Sequence, residues 1–150
     1  MELYAYYDSP FGIIGIGYEN DHILSIRRCD PEFPHTPSPV TDLANSQLQE
    51  YFAGKRQIFD LPIKPKGTPF QLTLWHALRE IPYGQTRTYG ELAAAIGNPK
   101  ASRAVGMACN RNPLLIVIPC HRVVGSNNTL TGYAGGLSMK RALLELELNL

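Results

Sequence analysis

The sequence has few cysteines, no long apolar segment and no strong excess of either charge, and each shortage narrows the possible functions. Its three cysteines, Cys29, Cys109 and Cys120, are odd in number and widely spaced, so no disulfide framework is predicted. No apolar run is long enough to span a bilayer, and the start of the chain has no signal-peptide pattern. We therefore expect an intracellular protein with free thiols, cytoplasmic or, in a eukaryote, nuclear, and with no membrane contact.

Histidines are also few, and their positions show no metal-ligand spacing, so no metal site is predicted. Charge is distributed unevenly along the chain. Residues 1–67 carry 6 Lys and Arg against 9 Asp and Glu, a net charge of −3, whereas residues 68–150 carry 8 against 4, a net charge of +4. The second half therefore has the modest positive bias expected of a nucleic-acid-binding surface.

The first half of the chain has the pattern of a small α+β domain, which we place at residues 1–62. Apolar segments at 3–7, 12–18 and 23–27, separated by turn residues, predict an antiparallel meander of three strands. After a proline-rich loop, apolar residues at helical spacing predict a helix that Gly54 ends. Its predicted buried face consists of Val40, Leu43, Ala44, Leu48, Tyr51 and Phe52. This half shows no catalytic constellation.

The second domain, placed at residues 68–150, is predicted to be mainly helical. Thr68-Pro69-Phe70-Gln71 is a capping box with proline at the first helical position. The apolar residues that follow recur on one face and are interpreted as core: Phe70, Leu74, Trp75, Leu78 and Ile81. The fold class expected for the whole chain is α+β, with a small sheet-and-helix domain followed by a mainly helical one.

Two short helices in this domain indicate a helix-turn-helix. A capping box from Thr88 to Glu91 predicts a helix that ends at Gly97, and Asn98-Pro99 predicts a second helix running to about Cys109. Arg103 projects from among small residues in the second helix, namely Ala101, Ser102, Ala104, Gly106 and Ala108. Such a helix can approach DNA closely without reading its sequence. The alternative is a tightly packed core helix with Arg103 at its edge.

The strongest chemical signal follows an apolar run, Leu114–Ile118, which is typical of a short buried strand. Pro119 must end that strand because proline has no amide proton. Cys120, His121 and Arg122 come next. A free thiol has a pKa of about 8.5, and a neighbouring imidazole and guanidinium would favour the nucleophilic thiolate. A buried cysteine that only packs is the alternative interpretation.

The last predicted helix places a carboxylate among apolar side chains. Its buried stripe is predicted to consist of Met139, Leu143, Leu146 and Leu150. Glu147 lies four residues after Leu143 and therefore shares that face. A buried carboxylate is costly unless it is paired, so Glu147 is expected to have a buried partner. A histidine next to a cysteine is a suitable one.

These residues together resemble a known family. The stretch Ile-Pro-Cys-His-Arg-Val, its preceding apolar run and the helix-turn-helix occur in an order and spacing similar to the O6-alkylguanine-DNA alkyltransferases, also called methylated-DNA–protein-cysteine methyltransferases. The segments that carry the resemblance are 88–93, 101–106, 112–113, 132–136, Lys140 and 143–147. It extends from about Gly67 to Glu147. The opening of the chain, with Asp8-Ser9-Pro10-Phe11-Gly12 between apolar strands, is similar to the family's looser N-terminal domain.

The resemblance implies a reaction and roles for four residues. An alkyl group would pass from O6 of guanine in double-stranded DNA to Cys120, once and irreversibly, without a cofactor and in a monomer. His121 would accept the thiol proton through a water, Glu147 would orient His121, and Asn112 would hold the active-site turn.

It also implies DNA contacts made from the minor groove. Tyr89 would crowd the phosphate of the flipped nucleotide, Arg103 would enter the base stack, and Tyr133, Ala134 and Gly135 would line the pocket. The other residues predicted to contact DNA or substrate are Ala101, Ser102, Ala104, Gly106, Arg122 and Val123. The chain departs from some members at Ala134, where they have a serine able to donate a hydrogen bond to O6.

Two other functions stay open on the sequence. A non-catalytic binder of alkylated DNA would share the fold but lack the nucleophile, and the presence of Cys120, His121 and Glu147 argues against it. A Cys-His hydrolase would leave the helix-turn-helix and Arg103 unexplained.

Overall fold

The structure is a computed structural model that describes residues 1–148, so Leu150 of the predicted stripe lies outside the described residues. The chain divides into two compact units, Met1–Lys66 and Gly67–Leu150. A three-stranded antiparallel sheet is followed by helices, which confirms the α+β fold class. Within residues 1–148, no helix has both the length and the apolar character needed to cross a membrane.

The first unit is a meander with one helix. Its strands pair antiparallel in the order β1-β2-β3, which confirms the predicted meander. Ser38 begins the helix by accepting a hydrogen bond at its hydroxyl from the Thr41 amide, and Gly54 follows its end with a φ of +74°. The elements are β1 Leu3–Ser9, β2 Gly12–Glu19, β3 His22–Arg28 and α1 Pro39–Phe52.

The buried face of α1 is more polar than its sequence pattern predicts. Leu43, predicted to be buried, is 45% exposed, whereas Gln47 is buried. The Gln47 side chain donates to the Asp60 carbonyl at 3.0 Å and accepts from the Asp60 amide at 2.9 Å. Because these bonds satisfy the amide, burial of Gln47 carries no unpaired polar group. The other buried residues of α1 are Thr41, Ala44, Leu48 and Tyr51.

The second unit is mainly helical, as predicted. Both predicted capping boxes are present, at Thr68 and at Thr88. Two dipeptide strands pair in parallel, Arg87 with Val123 and Thr88 with Val124. The first of them is too short to leave a pattern in the sequence. The elements are α2 Pro69–Arg79, β4 Arg87–Thr88, α3 Tyr89–Ala95, α4 Ser102–Asn110, β5 Val123–Val124 and α5 Leu137–Leu148.

The predicted start of α4 is wrong by three residues. The helix begins at Ser102 rather than at Pro99, and Ala101 occupies the N-cap without a side-chain hydrogen bond. The Asn98 carbonyl instead accepts from the Ala101 amide at 3.0 Å, which closes a separate turn before the helix. Gly97, with a φ of +81°, ends α3 as predicted. Helices α3 and α4 pack against each other as a helix-turn-helix.

The predicted strand at Leu114–Ile118 is also wrong, because this segment is a compact buried turn. The Ile118 amide donates to the Leu114 carbonyl at 3.0 Å, and Ile116 has a φ of +72°. Asn112 supplies the bonds that a neighbouring strand would have made: its side chain accepts from the Leu114 amide and donates to the Ile118 carbonyl. An apolar run buried on all sides has the same composition in a strand or in such a turn.

Candidate active site

Cys120 lies at the start of a single 3-10 turn, Cys120–Arg122, and is only 3% exposed. The side-chain amide of Asn112 donates to its Sγ at 3.1 Å and to the Ile118 carbonyl at 2.8 Å. The Asn112 oxygen accepts from the Leu114 amide at 2.9 Å. One amide group therefore holds both the preceding turn and the thiol.

Glu147 is the centre of a buried charged network. One carboxylate oxygen lies 2.5 Å from His121 Nε2, and the Arg122 guanidinium donates to both oxygens, at 2.7 Å and 3.1 Å. The Gly84 amide donates a longer bond of 3.3 Å, and Arg122 also donates to the Ile81 carbonyl at 2.6 Å. The structure thus gives Glu147 the buried histidine partner that its position on α5 predicts.

Burial determines the protonation state of His121, and the Glu147 contact determines its tautomer. Burial lowers the pKa of His121 although Glu147 opposes the shift, so the imidazole is neutral at pH 7. An ionised carboxylate can only accept a hydrogen bond, so Nε2 carries the proton. Nδ1 then has a free lone pair, and within residues 1–148 it has no hydrogen-bond partner. His121 is therefore poised to accept a proton at Nδ1.

The thiol of Cys120 is protonated at neutral pH. Burial raises the pKa of Cys120 to about 11, an effect that the Asn112 hydrogen bond and the Lys140 charge partly offset. The expectation that His121 and Arg122 favour the thiolate is wrong in its detail, since His121 is neutral and Arg122 is bound to Glu147. The thiolate must therefore form during the reaction.

Lys140 is a buried cation near the two thiols. The sequence analysis named it only as part of the family resemblance and predicted no role for it. Its side chain is fully buried, and Nζ donates to the Thr131 carbonyl at 3.1 Å. Burial lowers the pKa of Lys140, while the two nearby thiols raise it. A helical signal could have found it, because Lys140 and Glu147 are seven residues apart on one face of α5. That buried face consists of Met139, Lys140, Leu143, Leu144 and Glu147, whereas Leu146 is half-buried.

Cys109 is a second buried thiol, on the inner face of α4. Burial, with a smaller contribution from Cys120, raises the pKa of Cys109 to about 12, whereas the pKa of Cys120 is raised to about 11. Both thiols are therefore protonated at neutral pH. The Asn112 amide donates a hydrogen bond to the Cys120 sulfur, which lowers the pKa of Cys120 against the effect of burial. This contact favours Cys120 as the reactive cysteine.

The outer face of α4 has small residues next to the larger side chains of Arg103, Met107 and Asn110. Arg103, Ala104 and Met107 are exposed, and the remaining small residues Ala101, Ser102 and Gly106 are partly exposed. Tyr89, at the start of α3, is half-buried, and its ring lies close to Gly106, where a Cβ would be 3.8 Å from it. The face that sequence analysis assigned to DNA is thus open, with Tyr89 beside it.

The predicted pocket loop has no room for a side chain at Gly135. Tyr133 and Gly135 are buried and Ala134 is exposed. A Cβ at Gly135 would lie 2.6 Å from Met139 Sδ and 2.9 Å from the Tyr133 ring, so the loop packs closely on α5. The ring of Tyr133 also meets His121 edge-on, with 6.4 Å between the ring centroids.

Two more residues predicted to contact DNA or substrate are also buried. Arg122 is 6% exposed and bound to Glu147, and Val123 is fully buried in β5. Arg122 belongs to the active-site turn, and Val123 pairs with Arg87 of β4. In the part of the chain that the structure describes, no group of three or more His, Cys, Asp or Glu side chains is placed to hold a metal ion.

Two family models together cover nearly the whole chain. Residues 69–149 match the model described as the DNA binding domain of 6-O-methylguanine DNA methyltransferase. Residues 3–65 match the model described as its ribonuclease-like domain. The chain belongs to the 6-O-methylguanine DNA methyltransferase family.

Named relatives of this methyltransferase family extend over both units. The chain is 45% identical over 158 residues to the constitutive methylated-DNA–protein-cysteine methyltransferase of Bacillus subtilis, covering 98% of this chain and 96% of that protein. It is 62% identical over 104 residues to the methylated-DNA–protein-cysteine methyltransferase of Methanosarcina acetivorans, covering 69% of this chain and 67% of that protein.

Solved structures of the family have the same fold. The crystal structure of the Mycobacterium tuberculosis O6-methylguanine methyltransferase has a TM-score of 0.90 and 44% identity, covering 99% of this chain and 94% of that one. The structure of that bacterium's OGT in complex with DNA has a TM-score of 0.90 and 45% identity, covering 97% of this chain and 92% of that one.

Proposed function

We propose that this protein repairs DNA by taking the alkyl group of an O6-alkylguanine onto Cys120, once and irreversibly. Methyl transfer from methylated DNA to a protein cysteine is the reaction that the names of its relatives give. The observation that carries the assignment to Cys120 is the Asn112 amide bound to its Sγ, next to a neutral histidine whose orientation Glu147 holds. Among the hydrogen bonds of residues 1–148, Cys109 has no such arrangement.

The reaction balances without a cofactor. The thiol proton of Cys120 passes through a water to Nδ1 of His121, the ring nitrogen with the free lone pair. The sulfur forms a bond with the alkyl carbon as the carbon–O6 bond breaks, and the bonding electrons go to the purine. Nδ1 then returns the proton to the ring at N1, which yields guanine. The thioether that remains on Cys120 is stable, so the protein reacts once.

The target base must leave the duplex before the buried thiol can reach it. The outer face of α4 suits close approach to the minor groove, because Ala104, Ser102 and Gly106 on it are small. Arg103 would fill the space that the flipped nucleotide leaves, and Tyr89 would contact its phosphate. The loop from Tyr133 to Gly135 would line the pocket for the base.

We assign DNA binding and alkyl acceptance to residues 68–150 and a supporting role to residues 1–62. Every side chain in the proposed mechanism belongs to the second unit, which is compact by itself. We propose that one chain acts alone on double-stranded DNA. Because its substrate is DNA, we place its action in the cytoplasm, or in the nucleus of a eukaryote.

The decisive experiment counts label on the protein. Duplex DNA with a radiolabelled O6-methyl group on one guanine is incubated with an excess and then with a deficit of protein. We expect one label per chain, located on the peptide that contains Cys120. DNA binding without label would support the lesion binder, and released label over many cycles would support the hydrolase.

A further inference from the structure

A hydrogen-bonded chain at Thr131 joins the helix-turn-helix to the pocket loop. The Tyr89 hydroxyl, at the start of α3, lies 2.5 Å from Thr131 Oγ1. On the other side, Lys140 of α5 donates to the Thr131 carbonyl at 3.1 Å. Thr131 is therefore bound by two different helices, and the loop that begins at Tyr133 starts two residues later.

Each of the two side chains that share this hydrogen bond packs beside a glycine. Thr131 Cγ2 lies 3.2 Å from the position that a Cβ on Gly125 would take, and the Tyr89 ring lies 3.8 Å from the corresponding position on Gly106. Both Thr131 and Tyr89 are half-buried. Their two hydroxyl groups lie within hydrogen-bond distance of each other beside the open face of α4.

Each of the two hydroxyls can donate one hydrogen bond and accept others, so either can be the donor in the free protein. Contact with DNA removes that freedom. A phosphate oxygen has no proton to give, so Tyr89 can bind it only by donating. The oxygen of Tyr89 is then available to Thr131 only as an acceptor, and Thr131 must donate.

Two hydrogen bonds then follow one another in the same direction: Thr131 donates to the Tyr89 hydroxyl, and Tyr89 donates to the phosphate. Hydrogen bonds in such a chain polarise one another, so the bond from Thr131 strengthens the bond that Tyr89 makes to the phosphate. Burial raises the pKa of Tyr89, so its hydroxyl keeps the proton that the phosphate needs.

We propose that Thr131 is a positioning residue for repair of DNA, donating to the Tyr89 hydroxyl while Tyr89 donates to the phosphate of the flipped nucleotide. The inference rests on the proposed function and on the role given there to Tyr89. It adds a residue to that function, which assigned nothing to Thr131. Its backbone bond to Lys140 keeps the hydroxyl in place.

The test replaces Thr131 by valine, which removes the hydroxyl and preserves the branched shape and the carbonyl that Lys140 binds. We expect T131V to react about three- to tenfold more slowly with duplex O6-methylguanine, as for the loss of one hydrogen bond. Its rate with the free base O6-benzylguanine should stay within about twofold, because no phosphate is present. T131S, which retains the hydroxyl, should restore the duplex rate.

Thr129 supplies a matched control in the same segment. Its hydroxyl donates to the Ser126 carbonyl at 3.0 Å, and the residue is exposed. T129V should leave both rates unchanged. Urea unfolding of T131V and T129V, measured in parallel, reports whether either variant loses stability.

A double variant then tests the link to Tyr89. If Thr131 acts through that hydroxyl, T131V should add no further slowing on duplex DNA to Y89F. Equal slowing of T131V with both substrates, or effects of T131V and Y89F that add, would overturn the inference while leaving alkyl transfer itself intact. If the unmutated protein takes label from neither substrate, the proposed function fails and the inference fails with it.

Discussion

The two compact units of this chain bury different kinds of side chain. The polar side chains buried in the first unit, Ser25, Thr41 and Gln47, are uncharged. In the second unit the buried set also includes charged or ionisable groups, namely His121, Arg122, Lys140 and Glu147. Burying a charge costs free energy unless hydrogen bonds and opposite charges compensate for it. In the second unit these buried charged groups lie in or beside the active-site turn that contains Cys120, where we place the chemistry.

The largest expected effect comes from removing the thiol. Cys120→Ala should abolish transfer of labelled methyl groups and should preserve binding to duplex DNA, since sulfur contributes chemistry rather than affinity. Cys109→Ala is the control, because Cys109 is also buried in this unit but lacks the Asn112 hydrogen bond. Label that persists in the Cys120 variant and maps to Cys109 would show that the acceptor was wrongly assigned.

A pair of substitutions compares the two units directly. Glu147→Gln leaves the buried Arg122 without its counter-charge and should cost about 3–5 kcal/mol of unfolding free energy. Glu50→Gln breaks the ion pair with Arg56, in which Glu50 is 46% exposed, and should cost at most about 1 kcal/mol. Urea unfolding of both variants at pH 7 measures the difference.

Glu147→Gln should also slow alkyl transfer, because His121 loses the negative charge that favours its protonation during the reaction. We expect a decrease of roughly 100-fold in rate, which is the lower end of what general acid–base catalysis contributes. Rates are compared in the urea-free buffer in which both proteins are folded. A Glu147→Gln variant that loses stability but transfers the methyl group at the normal rate would make Glu147 a structural residue only.

Because two thiols are buried, we expect the free energy of unfolding to decrease at alkaline pH. In the unfolded chain a thiol ionises near pH 8.5, whereas burial raises the pKa of Cys120 to about 11 and that of Cys109 to about 12. Above pH 8.5 the unfolded state therefore releases protons that the folded state retains. The free energy of unfolding should be highest below pH 8.5 and fall as the pH rises towards 11.

The measurement is urea unfolding from pH 7 to 10.5 for the unmutated protein, Cys109→Ala and Cys120→Ala. Each variant should show a shallower alkaline decline, because one shifted thiol has been removed. Identical slopes in all three proteins would mean that the thiols ionise as freely in the folded chain as in the unfolded one.

A smaller effect is expected at Arg103, and it depends on the substrate. Unstacking a base costs a few kcal/mol, of which an inserted guanidinium recovers a part. Arg103→Ala should therefore slow reaction with duplex DNA by about 10- to 100-fold and change the rate with O6-benzylguanine little. Arg79→Ala, an exposed arginine on α2, is the control. Equal slowing on both substrates would assign Arg103 to packing of the site.

The smallest effect is predicted for Ala134→Ser. Ala134 is exposed in the pocket loop, so an added hydroxyl has space and can donate to the oxygen on which negative charge develops. We expect the rate to stay the same or to rise by up to about threefold. This increase is far smaller than the effect of a donor in a water-excluded site, because Ala134 is exposed to solvent. A clear decrease in single-turnover rate would place the loop closer to the base than we propose.

Local patterns in the sequence predicted a large part of the fold. The capping boxes at Thr68 and Thr88 need only residues three apart, and the meander needs only alternating strands and turns. The start of α4 and the form of Leu114–Ile118 were mispredicted. In both cases a turn closed by backbone hydrogen bonds replaced the regular element that the residue types favour.

The sequence by itself determined the α+β class, the helix-turn-helix, the cysteine of interest and the need of Glu147 for a partner. Only the tertiary structure decided which groups meet. Arg122 reaches Glu147 across 25 positions and Ile81 across 41, and Tyr89 reaches Thr131 across 42. Contacts so distant in sequence leave no periodicity, because they depend on how the helices pack. That packing binds Arg122 to Glu147, keeps the Cys120 thiol protonated and gives Thr131 its place beside Tyr89.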